Sequence, residues 1–110
     1  MNELKIEIIV AGDSLSNPVE SGDKVTVHYT GMLLDGKVFD SSVGRGTPFT
    51  THIGVGRVIQ GWDEGIVGMY AGEKRRLTIP YTMAYGERGV PGAIPAKADL
   101  VFDVELISIG

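Results

Sequence analysis

The segment that decides the fold is Val58-Ile-Gln-Gly-Trp-Asp-Glu-Gly65. Ile59, Trp62 and Ile66 recur at helical spacing, whereas each glycine in the segment weakens a helix by roughly 1 kcal/mol relative to alanine. We therefore expect a short helix that is held by packing. The glycines that flank Trp62 should leave one face of the indole uncrowded, so the ring can form the floor of a ligand site. A tryptophan is more often a plain core residue, and the neighbouring sequence decides between these interpretations.

Apolar and polar residues alternate on both sides of this helix, which is typical of strands, and the alternation in residues 24–30 is that of a half-buried strand. The alternating segments are residues 4–8, 24–30, 75–79 and 100–107. Asp35-Gly36 separates two apolar runs and predicts a hairpin after which Phe39 returns antiparallel. Pro80 should end its strand because proline cannot donate a hydrogen bond to the sheet. The pattern predicts an α+β fold, in which an antiparallel β-sheet is combined with one short α-helix.

Two segments rich in turn residues interrupt this pattern. The first covers residues 41–48, and the second covers residues 80–97 and contains three prolines and three glycines. Loops as long as the second one are usually functional when they occur in a compact domain. We therefore expect this loop to contribute to a site.

Length and composition limit the classes of protein that remain. A chain of 110 residues with one continuous pattern predicts a single domain over residues 1–110, and 43% hydrophobic with 22% charged residues predicts a folded chain. The net charge of −4 disfavours nucleic-acid binding. We interpret the one basic cluster, Lys74-Arg75-Arg76, as a solvated strand edge. No apolar run predicts a membrane span, and the absence of cysteine and of a leader-like start predicts a cytoplasmic protein, which we expect to be monomeric.

The usual groups for covalent catalysis are missing from the sequence. The chain has no cysteine, its two histidines are His28 and His52, and no Gly-x-Ser-x-Gly motif surrounds a serine. A triad of Ser41, His28 and Asp13 can be written down, but no local motif supports it. We interpret His28 as a residue on the polar face of its strand.

The patterns typical of cofactor and metal sites are also incomplete. Gly54-Val55-Gly56 resembles the start of a dinucleotide-binding motif, but Ile59 stands where the third glycine belongs. The acidic pairs Asp63-Glu64 and Asp99 with Asp103 lack the clustering that a metal requires. We therefore predict no cofactor and no metal.

Aromatic residues remain as the candidate site. Asp40 directly follows Phe39, and a carboxylate beside an aromatic strand must find a partner or stay hydrated. Arg45 is the nearest candidate partner. An apolar pocket with a few polar groups is the common form of a small-ligand site. The aromatic residues that could converge on it are Tyr29, Phe39, Phe49, Trp62, Tyr85 and Phe102.

Five runs of residues occur together, in order, over almost the whole chain. They are residues 27–31 (VHYTG), 35–42 (DGKVFDSS), 58–62 (VIQGW), 84–86 (AYG) and 100–106 (LVFDVEL). In sequence and spacing they resemble the FKBP-type peptidyl-prolyl cis-trans isomerases, whose domain also binds macrolide immunosuppressants. The resemblance implies a twisted antiparallel sheet, a half-barrel, wrapped around one short helix. It also implies a pocket between them, with Trp62 beneath a bound proline ring.

The resemblance assigns roles to individual residues. Asp40 and Tyr85 would be the polar groups of the pocket, Arg45 would hold Asp40, and the backbone N–H of Ile59 would donate to a ligand carbonyl. The implied catalytic residues are Asp40, Tyr85, Phe39, Phe102 and Trp62. The implied pocket walls are Tyr29, Phe39, Phe49, Val58, Ile59, Trp62, Phe102 and, from the long loop, Ile94. The sequence departs from the common family pattern at five positions of the pocket rim: Arg57, Thr51, Met83, Val90 and Ala93. These departures bear on substrate preference and drug-dependent partners more than on activity.

The predicted function is isomerisation of X-Pro peptide bonds, with proline-containing peptides and macrolides such as rapamycin and tacrolimus as ligands. The alternative is a module that binds peptides without catalysis, as a chaperone or scaffold. A substituted pocket would favour that alternative, whereas Asp40, Trp62, Tyr85 and Phe102 are all present here. A carrier of small apolar ligands would need a closed barrel, for which the chain has too few long strands.

Overall fold

One antiparallel sheet organises the chain, for which a computed structural model describes residues 3–110. Its strands follow the order β1-β5-β6-β2-β3, and β4 also pairs with β2. They are β1 (Lys5–Val10), β2 (Lys24–Leu33), β3 (Val38–Ser41), β4 (Phe49–His52), β5 (Lys74–Ile79) and β6 (Leu100–Ile109). Two short α-helices, α1 (Ser42–Arg45) and α2 (Gln60–Gly65), and a 3-10 helix (Tyr81–Met83) complete the fold. The predicted α+β class is confirmed. Met1 and Asn2, which the predicted domain includes, lie outside the described residues.

Strand β2 is the centre of the sheet. Its alternating residues Val25, Val27 and Tyr29 are buried, as the sequence pattern predicts. On one side it pairs with β6, where Tyr29 lies opposite Val104. On the other side it pairs with β3 and then β4, where Val27 lies opposite Phe49. The predicted hairpin is present between β2 and β3, with Gly36 at a φ of 91° and Asp35 Oδ1 accepting from the Lys37 N–H at 2.9 Å.

The segment predicted to be rich in turns, residues 41–48, contains an ordered helix, and a second unpredicted element follows it. Ser41 caps α1 by accepting from the Gly44 N–H at 3.2 Å, and Gly46, at a φ of 69°, ends the helix. Strand β4 follows at once. Neither element has the periodicity that predicts it, because each is only four residues long. The structure therefore has a second short α-helix beside the predicted one.

Helix α2 lies directly on β5. A Cβ atom added to Gly61 would lie 2.5 Å from Cγ2 of Ile79, and one added to Gly65 would lie 2.8 Å from Cδ1 of Leu77. The glycines therefore allow the helix to approach the sheet. This contact gives them a role other than the predicted one of leaving the face of Trp62 uncrowded. The prediction of a short helix held by packing is confirmed.

The interpretation of the basic cluster as a solvated edge is wrong for Arg75. Strand β5 lies between β1 and β6, and Arg75 faces inward and is 9% exposed. Its guanidinium pairs with buried Glu73, and Nη1 donates to the carbonyls of Gly65 at 3.0 Å and Val67 at 3.1 Å. The Arg75 guanidinium thus satisfies the carbonyl of the last residue of α2 and a second carbonyl just beyond that helix. Arg76 faces the other way and binds Asp103 at 2.8 and 3.1 Å.

No helix within residues 3–110 has both the length and the apolar character that a membrane crossing needs.

Candidate active site

A cavity of about 450 Å³ opens between α2 and the sheet. This volume is in the range of small-ligand sites. The sequence-predicted residues that line it are Tyr29, Phe39, Asp40, Phe49, Val58, Ile59, Trp62, Tyr85 and Phe102. Gly56 and Arg57 line it as well. Strands β2, β3, β4 and β6 and helix α2 therefore contribute to one site, together with the connections of residues 53–59 and 84–99.

Trp62 lies at the centre of the aromatic residues and is 4% exposed. Its ring centroid lies 5.0 Å from that of Tyr29, 6.0 Å from that of Phe49 and 5.4 Å from that of Phe102. All three pairs are edge-to-face, with interplanar angles of 69° to 85°. Edge-to-face pairs are a preferred arrangement of aromatic rings, so each wall restrains its neighbours. The buried indole Nε1 has no hydrogen-bond partner among residues 3–110.

Gly31 makes room for two of the walls. A Cβ atom there would lie 2.7 Å from Cζ of Phe39 and 2.7 Å from Cε1 of Phe102, whose rings meet edge-to-face at 5.6 Å. Sequence reasoning assigned Gly31 no role of its own. The sequence feature that could have predicted its role is a glycine inside a strand, because such a glycine often marks the close approach of other groups.

The polar side of the cavity is a triangle of Tyr29, Asp40 and Arg45. The Tyr29 hydroxyl donates to Asp40 Oδ2 at 2.6 Å, and Arg45 Nη1 forms an ion pair with Asp40 Oδ1. Arg45 Nη2 donates to the Tyr29 hydroxyl oxygen at 3.1 Å. Because Arg45 is the last residue of α1, the unpredicted helix brings it to Asp40. Arg45 itself does not line the cavity.

These contacts set the protonation states of the triangle. Desolvation raises the pKa of the Asp40 carboxyl, but hydrogen bonds from Tyr29 and Arg45 outweigh it and hold that pKa below its usual value. Burial, followed by the hydrogen bond to Asp40, raises the pKa of the Tyr29 hydroxyl. Burial and then the charge of Asp40 raise the pKa of the Tyr85 hydroxyl. At neutral pH the site therefore contains one carboxylate and two neutral phenols.

Ile94 does not line this cavity, although the resemblance placed it in the wall. It is 5% exposed and packs in the core. Two backbone hydrogen bonds join it to Val90, at 2.9 and 2.8 Å, and close a tight turn within the long loop. Among the five positions where the sequence departs from the family pattern, Arg57 alone lines the cavity.

Within residues 3–110, no group of three or more histidine or acidic side chains is arranged to hold a metal ion.

Comparison with known proteins identifies the family. The family described as FKBP-type peptidyl-prolyl cis-trans isomerase matches residues 16–107. The chain belongs to this family. Peptidyl-prolyl cis-trans isomerase FPR2 of Saccharomyces cerevisiae is 66% identical over 89 residues, which are 80% of this chain and 66% of that protein. FK506-binding protein 1 of the same yeast is 57% identical over 106 residues, which are 96% of this chain and 92% of that protein.

A solved structure has the same FKBP architecture. The crystal structure of AtFKBP13 matches with a TM-score of 0.86 and 41% sequence identity. The match covers 97% of this chain and 93% of that chain. The FKBP fold predicted from the resemblance is therefore confirmed.

Proposed function

We propose that the aromatic cavity is the site at which this FKBP-family peptidyl-prolyl cis-trans isomerase accelerates rotation about X-Pro bonds, without a covalent step. The observation that carries the proposal is the set of edge-to-face rings around Trp62, joined on one side by a single ionised carboxylate. The chain of 110 residues would act as one domain.

Rotation about an X-Pro bond is favoured by an apolar site with rigid walls. Resonance keeps the amide planar and gives X-Pro rotation a barrier of roughly 18 to 20 kcal/mol. The planar amide is more polar than the twisted one, because twisting removes charge separation. A dry aromatic cavity therefore favours the twisted form relative to the planar form, and rigid walls select its geometry. Rotation breaks no bond, so the reaction needs neither a nucleophile nor a base.

The proposed roles follow the arrangement of the cavity. The floor of the proline site would be Trp62, with Phe39 and Phe102 against the rotating bond. Asp40 and the Tyr85 hydroxyl would be the polar groups that face the twisted amide. The remaining residues would bind the peptide: Tyr29, Phe49, Val58 and Ile59, with the Ile59 N–H as a donor and Arg45 holding Asp40.

The decisive experiment measures kcat/KM on tetrapeptides that differ only in the residue before proline. We expect the highest values with Leu or Phe, because burial of such a side chain against the aromatic walls contributes about 1.5 to 3 kcal/mol. A flat preference, or a preference for acidic residues at this position, would count against the cavity. Peptide binding without acceleration would favour the alternative of a non-catalytic chaperone or scaffold.

The same cavity would also bind macrolides such as rapamycin and tacrolimus. A yeast relative of this chain is named FK506-binding protein 1, which supports this ligand class. We further propose a cytoplasmic monomer that acts on proline-containing peptides and proteins and binds neither nucleic acid nor membranes. The net charge of −4 supports the exclusion of nucleic acid.

A further inference from the structure

Arg57 is a cation at the mouth of the cavity, and no acidic side chain among residues 3–110 pairs with it. Its side chain lines the cavity and is exposed. No carboxylate within residues 3–110 lies within 4.0 Å of its guanidinium. In the described part of the chain its one polar side-chain contact is with His52, whose Nδ1 lies 3.0 Å from Nη1. A neutral imidazole nitrogen can accept this hydrogen bond and leave the remaining donors of Arg57 free.

The backbone that carries Arg57 is held in place. The Asp63 carboxylate, on α2, accepts from the N–H of Gly54 at 2.7 Å and from the N–H of Gly56 at 3.0 Å. Gly54 and Gly56 have φ values of 83° and 77°, a conformation that glycine adopts at little cost. On its other side Arg57 is followed by half-buried Val58. The guanidinium is therefore attached to an anchored segment beside the cavity.

The charge of Arg57 is not cancelled by the rest of the cavity. Asp40 is the one carboxylate among the lining residues, and it is already paired with Arg45. The mouth consequently has an excess of positive charge on a chain whose net charge is −4. A peptide that brings its own carboxylate to the mouth would gain an ion pair with Arg57.

We propose that Arg57 is a specificity-determining residue that favours substrates with an acidic residue close to the X-Pro bond. This inference rests on the proposed function. In the proposed function the residue immediately before proline packs on the aromatic walls, which leaves the next residue towards the N-terminus of the peptide to bring its carboxylate to Arg57. Substrates of the form acidic-apolar-Pro would therefore be isomerised more efficiently than their neutral counterparts.

The test compares acetyl-Glu-Leu-Pro-Phe-amide with acetyl-Gln-Leu-Pro-Phe-amide, in which the glutamate is the only charge. NMR exchange spectroscopy gives kcat/KM without a coupling protease, and the Glu-to-Gln ratio cancels differences in active concentration. We expect a ratio of about three for the unaltered protein at low salt, the size of an exposed ion pair. The ratio should fall towards one in about 0.5 M salt because of screening.

Three variants separate Arg57 from general electrostatics. The ratio should fall to about one in Arg57→Gln, because the ion pair is lost. It should fall below one in Arg57→Glu, because the new carboxylate repels the glutamate of the peptide with about the strength of a surface pair. Arg88→Gln removes an exposed arginine that does not line the cavity and should keep the original ratio. Equal acceleration of both peptides, or a preference that persists in Arg57→Gln, would overturn the inference and leave the proposed function intact. Failure to accelerate either peptide would overturn both.

Discussion

At the scale of the residue, Asp40 is the one carboxylate among the residues that line the cavity. It lies among aromatic rings, yet its side chain is 40% exposed and that of its partner Arg45 is 52% exposed. Replacement by valine removes the carboxylate without burying an unpaired charge, because Arg45 can be hydrated. We therefore expect Asp40→Val to keep the fold and to lower kcat/KM by about tenfold, the equivalent of one transition-state interaction of roughly 1.4 kcal/mol.

The control for this variant is Asp103→Val. Asp103 is also a strand carboxylate paired with an arginine, but it does not line the cavity. Its replacement should leave kcat/KM unchanged on the same tetrapeptide. An Asp40→Val protein that is unfolded by circular dichroism would show instead that Asp40 is structural.

The protonation of Asp40 depends on Arg45. Since hydrogen bonds from Tyr29 and Arg45 hold the pKa of Asp40 below its unfolded value, its contribution to stability is complete above the unfolded pKa of about 3.9 and is lost as pH falls through the folded-state pKa. Arg45→Met removes a lowering interaction and keeps the desolvation. We expect the pKa of Asp40 to rise in this variant, measured by NMR titration of its side-chain carboxyl carbon. Identical titration midpoints in the two proteins would contradict the proposed role of Arg45.

At the scale of the element, the contact of α2 with β5 opposes helix propensity. Alanine at position 61 should favour an isolated helix by about 1 kcal/mol, but its Cβ would lie 2.5 Å from Ile79, which is completely buried. Overpacking of this kind typically costs about 1 to 3 kcal/mol. We expect Gly61→Ala to be net destabilising in urea unfolding.

Gly44 in α1 provides a matched glycine. The nearest atom to an added Cβ there is 3.8 Å away, so Gly44→Ala should be neutral or stabilising. If Gly61→Ala is as stable as the unaltered protein, the helix is not seated on β5 as described.

The elements that sequence could predict are those with a long local signal. The alternation in β2 and β6 and the Asp35-Gly36 turn identified the central strands and the hairpin. Helix α1 and strand β4 could not be predicted because four residues contain no period. The burial of Arg75 could not be predicted either, since it depends on β1 pairing outside β5 and on carbonyls at the end of α2.

At the scale of the whole molecule, the site depends on register between distant strands. Gly31 lies opposite Phe102, and Val27 lies opposite Phe49, across separations of many residues. The sequence pattern identified aromatic residues that could converge. The resemblance to the family implied that they line one pocket and which role each has there. Neither predicted that Ile94 would turn into the core, because that depends on its backbone bridge to Val90.

The single tryptophan makes the assembled cavity observable. The rings of Tyr29, Phe49 and Phe102 pack against Trp62, and the Tyr29 ring also packs against the other two. These contacts restrain the walls, so binding of a rigid macrolide should cost little reorganisation. We expect rapamycin or tacrolimus to exclude water from the indole face and to change its emission, with saturation at one ligand per chain. No other tryptophan can contribute to that signal.

Replacement of Trp62, the proposed floor of the cavity, tests the same arrangement. Trp62→Leu should remain folded, because leucine still covers part of the core, but it leaves a void beneath the ligand ring and should weaken binding. Titration calorimetry measures this loss without relying on fluorescence. The matched comparison is Tyr85→Phe, which keeps the ring and removes a hydroxyl whose hydrogen bond contributes about 0.5 to 1.5 kcal/mol, so its loss of affinity should be smaller. If emission of the unaltered protein stays constant while calorimetry detects binding, the macrolide binds away from Trp62 and the assignment of this cavity is wrong.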